Sequence, residues 1–264
     1  MLKQIEATCA LPTLLDREFD VRLVQNGHAR YPAPKMNGKQ RAAREALRYL
    51  HDGMVLGLGT GSTSEYFIRA LGEAVRLKTI VNLRCVATSL QSENLARELG
   101  LTVITLAECG VVDLSVDGAD EIDPHLHLIK GLGGALVREK IVEQNSRRFI
   151  CIADISKLVP KLGTKGPLPV EVLPFAHEVH ASFFKTLGAT SQLRLNSDGS
   201  PFVSDNGNYI YDLSFSEGIA IPAELEQKLR SRAGIVGTGL FVSMADTALI
   251  GSDLDEKVRV IKHS

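Results

Sequence analysis

From residue 54 onward the chain alternates short apolar runs with amphipathic stretches, and that alternation constrains its fold more than any single residue does. The runs at 54–58, 83–87, 101–106, 114–116 and 148–153 are dominated by Val, Ile, Leu and Ala, as strands buried on both faces are. Between them, residues 62–71 put Tyr66, Phe67, Ala70 and Leu71 on one side, and residues 91–99 read as another helix. Strand and helix repeated in this way imply an α/β fold: a Rossmann-like parallel sheet covered by helices on both faces.

The grammar changes at Pro167-Leu-Pro-Val-Glu-Val-Leu-Pro174, where prolines punctuate an extended run. Residues 177–187 follow with Val179, Phe183 and Leu187 on one stripe. Asp205-Asn-Gly-Asn208 separates Phe202-Val203 from residues 209–212, which predicts a hairpin. Residues 222–231 read as a helix with Pro222 in its first turn. A smaller inserted α+β domain is therefore expected over 167–238. The Rossmann-like domain would span 37–166 and 239–264, resuming with strands at 239–243, 247–250 and 258–261. A charged helix at 38–51 opens it, preceded by Tyr31-Pro-Ala-Pro-Lys35. Residues 1–36 lack sustained periodicity and are expected to form an N-terminal extension.

Charge narrows the partners. Thirty basic residues face 31 acidic ones, a net charge of −1, so no overall field recruits nucleic acid or an anionic membrane. No apolar run is long enough to span a bilayer, and the acidic Glu6, Asp16, Glu18 and Asp20 argue against a transit peptide. Cys9, Cys85, Cys109 and Cys151 lack metal-ligand spacing, and Cys85 and Cys151 fall in apolar runs. They read as reduced thiols of a cytoplasmic protein.

Two segments carry chemistry. In Gly57-Leu-Gly-Thr-Gly-Ser-Thr63 an apolar strand runs into glycines and hydroxyls and then a helix start, with Ser62 and Glu65 at capping-box spacing. Backbone amides and hydroxyls of Thr60, Gly61, Ser62 and Thr63 could cradle a phosphate. A dinucleotide site would need its third glycine one residue later and an acidic residue after the next strand; that strand ends in Thr88 and Ser89. The P-loop lysine is missing as well, so a single phosphate fits better than NAD or ATP. The second segment sets Asp117, Asp120, Glu121 and Asp123 at the end of one apolar run, Lys130 at the end of another (126–129), and Glu139 in the following helical pattern. Strand ends of this kind are where open α/β sheets bind ligands. Each residue alone is more often structural: an Asp-Gly pair is usually a turn, and Arg138, Glu139 and Lys140 usually a solvated helix face. Lys157, just past the strand at 148–153, could likewise pair with a phosphate or be a solvated loop lysine.

Together with Lys130-Gly-Leu-Gly-Gly-Ala135, Arg138-Glu-Lys140, Ser156-Lys157 and Pro167-Leu-Pro-Val-Glu-Val172, these motifs closely resemble ribose-5-phosphate isomerase of the A type, from about Lys39 to the C-terminus. The resemblance implies an aldose-ketose isomerase that interconverts ribose 5-phosphate and ribulose 5-phosphate in the non-oxidative pentose phosphate pathway. It implies no metal, no cofactor, and a homodimer or homotetramer. By it, Glu139 is the base that passes a proton between two carbons, Lys130 with the adjacent glycine amides of Gly131 and Gly133 stabilises an oxyanion, and Leu132 of the same turn binds substrate. Asp117 and Asp120, with the intervening Gly118 and Ala119, hold sugar hydroxyls and assist ring opening. Thr60 to Thr63, Lys157 and Lys39 take the phosphate, and Ser89 lines the sugar pocket. Leu132 stands where the family pattern has a further glycine. Two other classes compete: a sugar-phosphate deaminase or coenzyme A transferase of similar fold, and a sugar-phosphate sensor joined to a DNA-binding module. The second needs a basic helix-turn-helix, which residues 1–35 are too mixed in charge to supply.

Overall fold

The computed structural model describes residues 36–262; residues 1–35, nearly all of the expected extension, lie outside the described residues. Asn37 opens α1 (Gly38–Ala46) with a capping box, its side chain accepting from the Gln40 amide and the Gln40 side chain answering the Asn37 amide, both at 2.9 Å. The expected helix over 38–51 ends sooner, in a single 3-10 turn at Leu47–Tyr49. The chain then reverses through Gly53, whose φ of +79° no helix accommodates.

The order that follows is β1 (Val55–Leu58), α2 (Ser62–Arg76), β2 (Arg84–Ala87), α3 (Leu90–Glu98), α4 (Leu106–Cys109) and β3 (Leu114–Asp117). Next come β4 (Glu121–Ile122), β5 (Leu128–Ile129), α5 (Leu136–Gln144) and β6 (Phe149–Asp154). The main sheet runs β13-β12-β6-β3-β1-β2, closed by β12 (Thr247–Gly251) and β13 (Arg259–Lys262). All its pairings are parallel except that of β13, an antiparallel edge on β12. The α/β class read from the alternation holds. From β1 the chain steps outward to β2 and then crosses back to β3 on β1's other side, which puts a topological switch point between the carboxyl ends of β1 and β3.

Alternation along the strands divides the core. Leu56, Leu58, Leu114, Val116, Ile150, Ile152 and Leu249 join Ala42, Phe67, Ile68 and Leu71 beneath α1 and α2, each large side chain contributing about 1.5–3 kcal/mol by leaving water. On the opposite face Val142 of α5 packs on Val55 and Val86. Beside it Ile122, Leu128 and Phe241 cover Phe149, Cys151, Ala248 and Ile250. That cover is a separate three-stranded sheet, β11-β5-β4, in which β11 is Leu240–Phe241. The runs at 126–129 and 239–243 are therefore not strands of the main sheet: Leu126 takes φ +58° and only two residues of each run pair. The run at 101–106 also fails as a strand. Val103 makes one isolated bridge to Cys85, and Thr105 instead caps α4, receiving the Glu108 amide.

Residues 168–238 carry a second, antiparallel sheet, β10-β7-β9-β8, with β7 (Leu168–Val172), β8 (Thr190–Leu193), β9 (Tyr209–Ser214) and β10 (Ile235–Thr238). Helices α6 (His180–Thr186) and α7 (Pro222–Arg230) bury Phe184, Leu225 and Leu229 against it. The turn at 205–208 closes as expected, with Ser204 N–H on Asn208 O at 2.9 Å. Val203 makes only an isolated bridge there, because β8 occupies that edge of β9.

Candidate active site

At the switch point the backbone leaves β1 through Gly59, where a Cβ would collide with the Asp117 carboxylate. Gly61, at φ +100°, then turns the chain into α2 as its N-cap. The expected Ser62–Glu65 capping box does not form: Ser62 is already helical, and Glu65 pairs with Arg69 at 2.8 Å one turn on. The first-turn amides of α2, which have no helical acceptors, stand at the positive end of the helix dipole. Lys39 brings its ammonium to 2.9 Å from Ser62 Oγ. Thr60 is held from behind by its hydroxyl on Ser89 Oγ at 2.8 Å, so Ser89 supports the turn from outside the two cavities described below. The result is an anion cradle of amides, hydroxyls and one half-buried lysine.

Facing it, at the end of β3, lies a buried cluster of charge. Oδ1 of Asp117 accepts from the Thr60 amide at 2.9 Å, Ser64 Oγ at 3.0 Å and the Gly118 amide at 2.6 Å. Its Oδ2 lies 2.9 Å from Lys130 Nζ. Nζ also donates to Gly118 O at 2.6 Å and stands 3.6 Å from both Glu139 Oε1 and Glu143 Oε1. Burial works against the ammonium, but the Asp117, Glu139 and Glu143 carboxyls outweigh it and hold Lys130 well above its usual range. Burial pushes the Glu139 carboxyl up to about 8, against the pull of Lys130. It raises Glu143 well above the ordinary carboxylate range too, with Asp117 and Glu139 adding repulsion. Burial likewise raises Asp120, although its Oδ2 accepts the Leu132 amide at 3.0 Å.

Twelve of the residues singled out from sequence line one cavity of about 80 Å³: Thr60, Gly61, Ser62, Thr63, Gly118, Ala119, Asp120, Lys130, Gly131, Gly133, Glu139 and Lys157. A neighbouring cavity of about 210 Å³ shares Asp120 and Lys157 and is bordered by Leu132, Lys165 and Pro167. Besides Ser89, three expected residues stand outside this cavity. Lys39 acts through Ser62, Leu132 borders the larger cavity and is 43% exposed, and Asp117 lies beneath the floor at 1% exposure. Both Asp117 oxygens face partners within the protein, Oδ1 the three donors and Oδ2 the Lys130 ammonium. Glu143 was missed; the available signal was its i+4 spacing from Glu139, which puts both on one face of α5. Glu121 was placed in the acidic segment but given no role. Its carboxylate collects the amides of Gly163, Lys165 and Gly166 at 2.6–2.8 Å. No group of His, Cys, Asp or Glu among the described residues is arranged to hold a metal.

The second sheet reaches the same place. Glu171, fully buried in β7, accepts from Ser204, Asn206 and Asn208 through one oxygen at 2.8–3.1 Å. The turn it gathers receives Arg138 of α5 on Asn206 Oδ1 and Asp205 O, at 2.9 and 2.7 Å. Asp205 in turn accepts the Leu90 amide at the start of α3, at 2.8 Å.

An anion cradle and a buried acid–lysine cluster at one switch point define an α/β protein equipped for proton transfer on an anionic ligand. A profile of the family ribose 5-phosphate isomerase A (phosphoriboisomerase A) matches residues 84–255. Ribose-5-phosphate isomerase A of Thermococcus kodakarensis is 45% identical over 216 residues, 81% of this chain and 93% of that protein. The Thermosynechococcus vestitus protein of the same name is 44% identical over 229 residues, 85% and 96% of the two chains. Among solved structures, a D-ribose-5-phosphate isomerase in complex with phospho-erythronic acid superposes with a TM-score of 0.83 at 39% identity, covering 86% of this chain and all of that one. Ribose 5-phosphate isomerase from Plasmodium falciparum gives 0.82 at 36% identity, over 85% and 97%. The chain belongs to the ribose 5-phosphate isomerase A family.

Proposed function

We propose that this chain interconverts D-ribose 5-phosphate and D-ribulose 5-phosphate, a step of the non-oxidative pentose phosphate pathway, with Glu139 as the proton carrier. One observation supports this most: Glu139 lines the cavity yet is only 4% exposed, and that burial pushes its carboxyl up to about 8. A carboxyl poised near the working pH serves as base and then as acid. Glu139 takes the proton from C2 of the open-chain aldose; the C–H electron pair forms the C1–C2 double bond, and the carbonyl pair moves to O1. The O2 proton passes to O1, the C2–O2 carbonyl forms, and Glu139 returns its proton to C1.

The phosphate sits against Thr60 to Thr63 and Lys157, with Lys39 steadying Ser62 from the side. Asp120, on the cavity wall, holds a sugar hydroxyl and aids ring opening. Asp117 is a positioning residue, since its ion pair fixes Lys130. With the Lys130 ammonium engaged by Asp117 and Gly118 O, the glycine-turn amides share the stabilisation of charge on oxygen. Direct assay of ribose 5-phosphate with Glu139→Gln tests the assignment: turnover should fall about 10²–10⁴-fold, and an undiminished rate removes Glu139 as the base.

No helix among the described residues is long and apolar enough to cross a membrane. The free thiols Cys85 and Cys151, both buried, support residence in the cytoplasm. Copies assemble as a homodimer or homotetramer, a reading supported by exposed Leu173, Phe175 and Val179 in one short stretch; light scattering of the purified chain decides it.

A further inference from the structure

Arg194 follows β8, more than sixty residues from the glycine turn in sequence. Its backbone is fixed on both sides, the amide donating to Ile210 O at 2.8 Å and the carbonyl accepting from Phe202 N–H at 2.9 Å. The guanidinium divides its donors between two partners. Nε and Nη2 grip the Asp212 carboxylate at 2.9 and 2.5 Å. Nη1 donates to Gly131 O at 3.1 Å and Leu132 O at 3.0 Å. Only a planar fork can serve a carboxylate on one side and two carbonyls on the other.

In a trans peptide the C=O and N–H point in opposite directions. The 131–132 peptide obeys this visibly: its oxygen meets Arg194, and its N–H, that of Leu132, meets Asp120 on the cavity side. In the next peptide the oxygen of Leu132 meets the same Nη1, so the Gly133 N–H is turned the other way, toward the cavity that Gly133 lines. That N–H has no acceptor among the described residues. Phe202, whose ring lies 5.7 Å from the guanidinium, presses on the same turn at Gly134.

We infer that the Arg194–Asp212 pair is a positioning device for the isomerisation, holding two carbonyls of the glycine turn so that the Gly133 N–H is aimed at the oxygen that gains charge in the enediolate. The inference rests on the proposed function. Arg194 lines neither of the two cavities, and the phosphate cradle at 60–63 lies on other elements. Its loss should therefore lower kcat and spare KM.

The test measures kcat and KM for ribose 5-phosphate in Arg194→Ala, Arg194→Lys and Asp212→Asn, with thermal melts to establish folding. Arg194→Ala should lose about 10–100-fold in kcat, less than the roughly 10²–10³-fold cost of deleting an oxyanion donor because the amide is loosened and not removed, with KM within about threefold of the parent. Arg194→Lys should recover little, because one ammonium cannot replace the fork, while added guanidinium ion should restore part of the Arg194→Ala rate. Should Arg194→Ala fail to fold, Asp212→Asn bears the test with the same expected split. A folded variant at either position with kcat within twofold of the parent overturns the inference, as does a loss confined to KM. The proposed function fails differently: the parent would not convert ribose 5-phosphate, or Glu139→Gln would match it.

Discussion

Lys130 Nζ lies 2.9 Å from Asp117 Oδ2, and neither side chain is more than 2% exposed. Removing one member of such a pair leaves the other charged and unsolvated, a cost of about 3–5 kcal/mol. Lys130→Met should lose about that much stability in urea unfolding. Adding Asp117→Asn to the same chain should recover part of it, because the amide brings no charge to bury.

The pH dependence of catalysis follows from Glu139. Its carboxyl is pushed up to about 8 by burial, and only the ionised form abstracts a proton. The ratio kcat/KM reports the free enzyme, so it should climb as pH rises and level off above about 8. A limb centred near 4.5, the ordinary carboxyl value, would show Glu139 to be less shielded than its burial indicates.

Glu143 sets a pH dependence of stability. Its folded pKa lies well above the 4.5 it takes when unperturbed, so above that value the folded chain keeps a proton that the unfolded chain releases. Stability is then full below about pH 4.5 and is lost as pH rises through the folded value. Gln resembles the neutral acid, so Glu143→Gln should lie within about 1 kcal/mol of the parent at pH 6. It should lose less than the parent between pH 6 and 9 in urea titrations. An equal loss in both chains would remove Glu143 from this role.

Lys157 borders both cavities and stands off the acid–lysine cluster. As a phosphate ligand it contributes equally to ground and transition states, so Lys157→Met should raise KM about 10–100-fold, the range of a charge-assisted hydrogen bond. The kcat value should change little. A fall in kcat at unchanged KM would place Lys157 on the reacting end instead.

What could be read before any coordinates followed from local pattern. Buried runs such as 148–153 announced strands by composition, and Gly59 and Gly61 announced a loop that must pass close to something. The misreadings have local causes too. Residues 126–129 are apolar enough for the main sheet but pair in a separate small one, and periodicity cannot tell which sheet a strand will join. Ser62 and Glu65 had the right spacing for a cap, but Gly61 took that position with a φ that serine rarely adopts. Glu143 was overlooked because a carboxylate on a helix is usually solvated, and only the depth of Lys130 makes this one different. Arg194 had no local signal: its partners in the glycine turn are 62 and 63 residues away.

The knot around Glu171 has a consequence for how such an enzyme can change. Because that carboxylate shapes the turn that Arg138 grips, the helix bearing Glu139 takes part of its alignment from a strand with no surface in either cavity. Lineages or laboratory selections that retune the chemistry should therefore accumulate replacements at 171 and 204–208, far from any bound sugar. Grafting the catalytic helix into another scaffold without that turn should yield a base that is present but badly aimed.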